Sequence, residues 1–459
     1  MKNMTLANIA AACNGTYYGD ENSKNIEVAQ ITTDSRKVVA GSLFIAICGA
    51  RSDGHDYIES SYDMGAVCTI SEKEIPGLNK PYIKVASSLE AIKAIASYYR
   101  AQLSLTVVGI TGSVGKTSTK EMVASVLGER FVVLKTLGNF NNELGLPLTI
   151  FRLTEEDEVA VLEMGISDFG EMHRLSAIAR PDVCIITNIG TCHLENLKDR
   201  DGVLRAKSEI FDYMNPNGSV LLNGDDDKLK TISSVNNKTV NFFGTGKDCD
   251  VYADRIENLG LKGTKCRINT PQGSFEVIIP IPGDYMINNA LAGTMAGLSL
   301  GMDISEIKAG IEKVQELDGR NRIIRTANFT IIDGCYNANP MSMKASVDLL
   351  CLAEGKKVAI LGDMGELGAK ERELHYEVGR YVGESLADIL LCAGKLSAEI
   401  ERGFLDVRPG AYSMCFDTVE ELIEKLPVEL CFGDTVLVKA SHFMKFERIL
   451  DALKNINEA

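Results

Sequence analysis

The sequence predicts an α/β protein of three domains. Its 459 residues suggest about three folding units by length alone. From Leu103 onward, short apolar runs alternate with helix-like segments, the pattern of a mostly parallel sheet with helices on both faces. The same alternation starts again near Asp318 and marks a second doubly wound unit. With 45% hydrophobic and 24% charged residues, the chain can fill several packed cores.

Residues 1–103 are expected to form a small mixed α/β domain. Ser42 to Cys48 and Ala66 to Ile70 are β-like runs. Ser87 to Gln102 reads as an amphipathic helix with Leu89, Ile92, Ile95 and Ala96 on its apolar face. Residues 104–317 are expected to carry a central, P-loop NTPase-like parallel sheet. Leu105 to Gly109 is a buried strand, Thr117 to Leu127 a helix, and Val159 to Glu163 and Val183 to Thr187 are apolar strands ending in polar loops. Gly244 to Pro280 has β-like alternation with turns at Gly263 and Gly273, which predicts an antiparallel flap on the same domain. Residues 318–459 read as a Rossmann-like doubly wound sheet, with strands at Phe329 to Asp333, Lys357 to Leu361, Ile389 to Ala393 and Thr435 to Lys439.

The net charge of −15 argues against nucleic acid or an anionic membrane as the main partner. No apolar run reaches the roughly 18 residues that span a bilayer, and Met1 to Asn14 lacks the apolar stretch of a signal peptide. The 12 cysteines form no C-x-x-C pair and no metal-like cluster with the 5 histidines. Reduced thiols, a cytoplasmic location and a monomer without membrane insertion are expected.

Between the strand ending at Gly109 and the helix starting at Thr117 lies G-I-T-G-S-V-G-K-T-S, Gly109 to Ser118. Glycines let backbone N–H groups curl around phosphate oxygens, and the following helix adds its positive N-terminal end. Lys116 is placed to reach the β- and γ-phosphates, and the Thr117 hydroxyl to bind Mg²⁺. Gly109, Thr111, Gly112, Ser113, Val114, Gly115 and Ser118 complete the expected ATP site. Ile110 stands where the first glycine of the common G-x-x-x-x-G-K-[ST] form would be, so the match is to a T-G-x-x-G-K-T-[ST] variant. Glu163 ends an apolar strand beside this loop, where hard Mg²⁺ wants oxygen.

Thr111 to Met122, T-G-S-V-G-K-T-S-T-K-E-M, resembles the loop of the Mur ligases, which build the peptide stem of bacterial peptidoglycan. Further stretches follow in order through the whole chain: T-D-S-R-K-V-V-A-G-S-L-F at Thr33 to Phe44, G-N-F-N-N-E-L-G-L-P-L-T at Gly138 to Thr149, Y-N-A-N-P at Tyr336 to Pro340, and L-G-D-M-G-E-L-G at Leu361 to Gly368. They resemble the branch that adds D-alanyl-D-alanine to UDP-N-acetylmuramoyl-tripeptide (UDP-MurNAc-tripeptide). The resemblance implies an N-terminal domain for the UDP end, a central domain for ATP and a C-terminal domain that closes over both.

It also implies roles. Asp34, Ser35 and Arg36 face the UDP-sugar, and Asn139, Asn141 and Asn142 grip substrate through amides that both donate and accept. Glu163 supports a first Mg²⁺ and His193 a second. Lys207 carries a CO₂-derived carbamate that adds an oxygen ligand, which requires a neutral amine. Asn289 contacts adenine, and Arg320 reaches the γ-phosphate or acyl-phosphate. Asp333, Tyr336, Asn337 and Asn339 lie on a crevice loop, and Lys439 completes the substrate side. The chain departs from the family at Ser208, Tyr285, Met286, Gly334, Ala440 and His442. His55, in D-G-H, reads equally as a substrate contact or a packing residue. Two rival readings are a related ligase with another amine substrate, of the folylpolyglutamate type for instance, and a non-catalytic nucleotide-binding paralogue. Y-N-A-N-P and G-N-F-N-N argue against the first, and the joint presence of Lys116, Thr117, Glu163, His193 and Lys207 against the second.

Overall fold

The computed structural model describes residues 1–49 and 52–456. Its central strand is Thr106–Thr111, buried everywhere but at its first residue. Side chains alternate across it: Val108 and Ile110 enter one core, Val107 the other. The flanking strands Val159–Glu163 and Val183–Ile186 are buried throughout and divide the same way, with Val161 and Ile185 beside Val108, and Leu162 and Ile186 beside Val107. Two-sided burial is why these strands read as unbroken apolar runs rather than alternating ones.

The central sheet has 10 strands. Its parallel body runs Val133–Lys135, Val159–Glu163, Thr106–Thr111, Val183–Ile186, Ser219–Asn223, Lys238–Gly244 and Val251–Asn258. Thr264–Thr270 and Gly273–Ile279 then add antiparallel, so the predicted flap is an extension of the sheet itself. One face is covered by helices Lys116–Leu127, Tyr285–Ser299 and Ile304–Glu312, through Met122, Val126, Leu291 and Ile307. The other is covered by Glu171–Ala179 and Arg200–Ser208, and by helix Ser88–Arg100 of the N-terminal unit. Ile92, Ile95 and Tyr99 of that last helix share one core with central residues, and the Tyr99 hydroxyl donates to the Leu153 carbonyl at 2.6 Å. Leu89, expected on the apolar face, is 47% exposed and lines a cleft instead.

The N-terminal sheet runs Thr16–Tyr18, Tyr82–Lys84, Ala66–Ser71, Ser42–Ile45 and Gln30–Thr32, with only the first pairing antiparallel. The C-terminal sheet runs Arg322–Arg325, Thr330–Asp333, Thr435–Lys439, Lys357–Gly362, Ile389–Ala393 and Ser413–Phe416, again with only the first pairing antiparallel. Its two outermost strands, Arg322–Arg325 and Ser413–Phe416, are the two that sequence patterning did not single out. Both are short and incompletely buried, so their apolar signal is weak. Among the described residues no helix is long and apolar enough to cross a membrane.

Helices Glu371–Glu384 and Ser397–Val407 approach so closely that a Cβ on Gly379 would lie 1.9 Å from the Ile400 carbonyl oxygen, and one on Gly403 2.2 Å from that of Tyr376. Both obstacles are backbone. Gly403→Ala is therefore expected to lower stability by about 1–3 kcal/mol through overpacking, read as a lower urea midpoint. An unchanged midpoint would contradict this packing.

Candidate active site

A cleft of about 940 Å³ opens at the carboxyl ends of the central strands and is closed on its far side by loops of the C-terminal unit. That is the size and place expected for a ligand site in an open α/β sheet.

Its floor is the phosphate loop. The strand before it runs two residues further than its apolar pattern suggests, through Thr111, because Gly109 pairs with Leu162 and Cys184 on its two sides. Gly109 is therefore a packing glycine and not part of the cradle. A Cβ there would lie 3.1 Å from Met164 Sδ and 3.2 Å from Pro181 Cβ. Thr111 is likewise a buried strand residue outside the cleft lining. At Gly112 a Cβ would come within 1.9 Å of Thr187 Oγ1.

The loop is fastened to the end of the next strand. Ser113 N donates to the Asn188 carbonyl at 3.0 Å and Val114 N to Asn188 Oδ1 at 2.9 Å. Thr187 Oγ1 and Asn188 Nδ2 both donate to the Val114 carbonyl, at 2.7 and 3.0 Å, and Gly190 N donates to Ser113 Oγ at 2.8 Å. So Ser113 and Val114 line the cleft, but their N–H groups are already used. The N–H groups that open helix Lys116–Leu127 are the ones available to an anion. Lys116 Nζ rests on the Gly112 carbonyl at 2.9 Å, and burial lowers its pKa. Thr187 and Asn188, which clamp the loop, carried no recognisable sequence signal.

Glu163 sits beside the loop, 2% exposed. Its Oε1 accepts from Asn141 Nδ2 at 2.8 Å, while Oε2 is buried without a hydrogen-bond partner. The three amides of the Asn loop thus differ. All three line the cleft, but Asn141 also braces Glu163, and Asn142 Oδ1 accepts from Leu144 N and Gly145 N at the start of the next helix. His193 lines the cleft in a left-handed conformation (φ 52°), its Nδ1 3.4 Å from Glu366 of the C-terminal unit. Burial lowers its pKa, and Glu366 opposes that. Lys207 is 1% exposed and makes no ion pair among the described residues. Burial, reinforced by Lys116, pushes its pKa down to about 7.

The C-terminal unit supplies the roof. Arg320 Nη2 donates to Thr117 Oγ1 at 2.9 Å, and its guanidinium lies 3.9 Å from the centre of the Tyr336 ring. Asp333, expected to touch nucleotide, does not line the cleft. Its two oxygens accept from Gly319 N at 2.9 Å and Cys335 N at 3.1 Å, so it ties the Arg320 turn to the Tyr336 loop. The family departure at Gly334 has a packing reason: a Cβ there would lie 3.1 Å from Asn321 Oδ1 and 3.3 Å from Lys439 Cβ. Lys439 is buried, its pKa pushed down to about 8 by burial, and donates to the Asn337 carbonyl at 3.0 Å. Asn337 and Asn339 line the cleft, with Asn339 Oδ1 also capping helix Pro340–Cys351. Asn289 lines the cleft too, although its amide is engaged internally, accepting from Thr119 Oγ1 at 2.7 Å and donating to Met286 Sδ at 3.1 Å.

Asp34, Ser35 and Arg36 are not brought to this cleft. Asp34 holds the Arg36 guanidinium at 2.8 and 2.9 Å on the exposed surface of the N-terminal unit. His55 is a packing residue, its Nδ1 2.5 Å from Asp53 and its Nε2 accepting from Glu72 N at 3.0 Å.

A parallel-sheet phosphate loop roofed by a second doubly wound unit defines a nucleotide-using α/β enzyme of several domains. The chain matches the Mur ligase family catalytic domain over residues 27–100, the Mur ligase middle domain over 110–297 and the Mur ligase glutamate ligase domain over 319–442. It is 35% identical to the UDP-N-acetylmuramoyl-tripeptide–D-alanyl-D-alanine ligase of Bacillus subtilis, with 98% of each chain covered. It is 33% identical to that of Escherichia coli, with 99% of each covered. A crystal structure of MurF from Acinetobacter baumannii superimposes with a TM-score of 0.89 at 32% identity, over 98% of this chain and 99% of that one. MurF from Thermotoga maritima, solved in complex with ADP, gives 0.82 at 29%, over 93% and 97%. The chain belongs to the Mur ligase family, in its MurF branch, and is an ATP-dependent ligase.

Because Thr187 leaves no room for a Cβ at Gly112, Gly112→Ala is expected to displace the loop and weaken ADP binding at least about tenfold, or ~1.4 kcal/mol, by calorimetric titration. Affinity within twofold of the parent would show that the loop tolerates the shift.

Proposed function

We propose that this enzyme joins D-alanyl-D-alanine to UDP-N-acetylmuramoyl-tripeptide in peptidoglycan precursor synthesis, through an acyl-phosphate. The observation that carries the reading is the single cleft in which Lys116, Glu163, His193, Arg320 and Tyr336 converge from two units. A carboxylate and an amine do not condense at neutral pH, so the carboxylate must first gain a leaving group. The tripeptide carboxylate oxygen attacks the γ-phosphorus of ATP and ADP departs. The dipeptide amine then attacks the acyl carbon, loses a proton, and inorganic phosphate departs.

Catalysis of this kind is positioning and charge neutralisation. The N–H groups at the start of helix Lys116–Leu127 and the Lys116 ammonium hold the β- and γ-phosphates. Arg320, already stacked on Tyr336, delivers a fixed positive charge to the transferring group. Asn139, Asn337, Asn339 and Lys439 orient the peptide, while Asp34, Ser35 and Arg36 take the UDP end. Closure of the C-terminal roof keeps water from the acyl-phosphate.

The residues present fit a divalent cation. Glu163 Oε2 is buried with no partner, and no group of three or more His, Cys, Asp or Glu forms a closed cage among the described residues. One carboxylate with a hydroxyl, completed by phosphate and water, suits Mg²⁺. Thr117 and Glu163 would hold one ion, and His193 with a carbamylated Lys207 a second, each neutralising phosphate charge when bound. Lys207 fits the carbamate because burial keeps its amine close to neutrality.

The reading predicts ADP release that depends on both UDP-MurNAc-tripeptide and D-alanyl-D-alanine. ATP hydrolysis under saturating dipeptide with none incorporated would sink it. Lys116→Ala is expected to lower kcat by about 10²–10³-fold. In ¹³C-bicarbonate the enzyme should show a carbamate resonance that is absent from Lys207→Met. Only the neutral amine adds CO₂, so the resonance should grow as pH rises through about 7 and fade below it. A resonance that persists in Lys207→Met would assign the carbamate elsewhere.

A further inference from the structure

One buried cation beside the site has no part in the chemistry above. Lys120 lies on helix Lys116–Leu127, one turn beyond Lys116, and is 1% exposed. Its Nζ donates to the Thr136 carbonyl at 2.8 Å and lies 3.0 Å from Glu121 Oε1 and 4.0 Å from Glu163 Oε2. The other oxygen of Glu121 is paired to Lys135, so the four charges alternate in sign from the surface inward.

Glu163 is thereby constrained at three points. Its backbone N–H donates to Thr136 Oγ1 at 3.0 Å, its Oε1 accepts from Asn141, and its Oε2 faces Lys120 across 4.0 Å without a hydrogen bond. At 4.0 Å the ammonium supplies charge but takes no lone pair. A carboxylate buried without a counter-charge would turn away, and one hydrogen-bonded at both oxygens would have nothing left to offer. The Thr136 carbonyl anchors the ammonium, so its distance from Glu163 is set by backbone and does not depend on the metal.

We propose that Lys120 is a positioning residue, holding the Glu163 carboxylate with Oε2 turned free for a divalent cation. This rests on the reading of Glu163 as a metal ligand. A partner that orients a metal ligand typically contributes about 10–100-fold in metal affinity. A purely structural Lys120 would instead act through Thr136 alone, and would leave metal affinity unchanged in any folded variant.

The test is Mn²⁺ titration of the full-length enzyme with ADP, followed by electron paramagnetic resonance. Lys120→Met is expected to raise the Mn²⁺ Kd about 10–100-fold while ADP affinity in EDTA stays at the parent value. Lys120→Arg, which keeps the charge, should lie closer to the parent. Lys120→Gln, which keeps an N–H donor for the Thr136 carbonyl without the charge, should resemble Lys120→Met. A folded Lys120→Met or Lys120→Gln whose Mn²⁺ Kd lies within about threefold of the parent would overturn the proposal. So would failure of both variants to fold, which would make Lys120 a brace of the fold. Glu163→Gln separates the two layers. If it binds Mn²⁺ normally, the metal reading of Glu163 falls. If it loses Mn²⁺ while the Lys120 variants keep it, only the role of Lys120 falls.

Discussion

The site depends on a loop that cannot hold its own shape. Four residues, Gly112 to Gly115, must turn from a buried strand into a helix while leaving the helix N-terminus bare for an anion. Nothing inside the loop fixes that turn. The end of the neighbouring strand does, with Asn188 closing a two-way clasp on Val114 and Thr187 pressed against Gly112 at a distance no side chain could share. Both clasping residues follow Val183–Ile186, whose register against Thr106–Thr111 sets where they fall. The two-sided burial of these strands is therefore part of the catalytic geometry. A slip of one residue would turn the strand over and take Asn188 away from the loop.

A second constraint is electrostatic. The chain carries a net charge of −15, yet Lys116, Arg320 and Lys439 line one cleft, with Lys207 buried near it, and of the acids that share the lining Glu163 alone is buried. Burial lowers the pKa of all three lysines. Glu163 differs from the other acids of the cleft in being buried. It is kept by a brace on one oxygen and left open on the other, which suits an ion that arrives with the phosphates.

Much of this was legible in the sequence, and the limits have identifiable causes. Strands buried on both faces announced themselves as apolar runs, and Val159–Glu163, Ile389–Ala393 and Thr435–Lys439 fall where the pattern put them. The edge strands Arg322–Arg325 and Ser413–Phe416 pack on fewer neighbours, and so carry less pattern. Strand ends were harder still. Gly109 looks like the first glycine of a cradle, but ladder pairing on both sides carries the strand past it to Thr111. Among the site residues, charge and spacing identified Lys116 and Glu163. They could not distinguish a residue that faces ligand from one that braces the residue that does. Asp333 and His55 face away from the cleft, because carboxylates and imidazoles satisfy backbone N–H groups as readily as they bind substrates. Lys120 was passed over for the converse reason: a lysine on a helix is ordinarily a solvated one, and only the fold buries it.

The contact between Arg320 and Thr117 brings these constraints together. Thr117 Oγ1 accepts from the guanidinium at 2.9 Å, and in the proposed reading it is also the hydroxyl that would meet a cation accompanying the nucleotide. Two positive groups cannot crowd one hydroxyl oxygen without paying for their repulsion in a poorly solvated cleft. An incoming phosphate resolves the conflict because it attracts both. Asp333 fastens the turn that carries Arg320 to the loop that carries Tyr336, so the guanidinium and the ring it stacks on are held by one set of contacts.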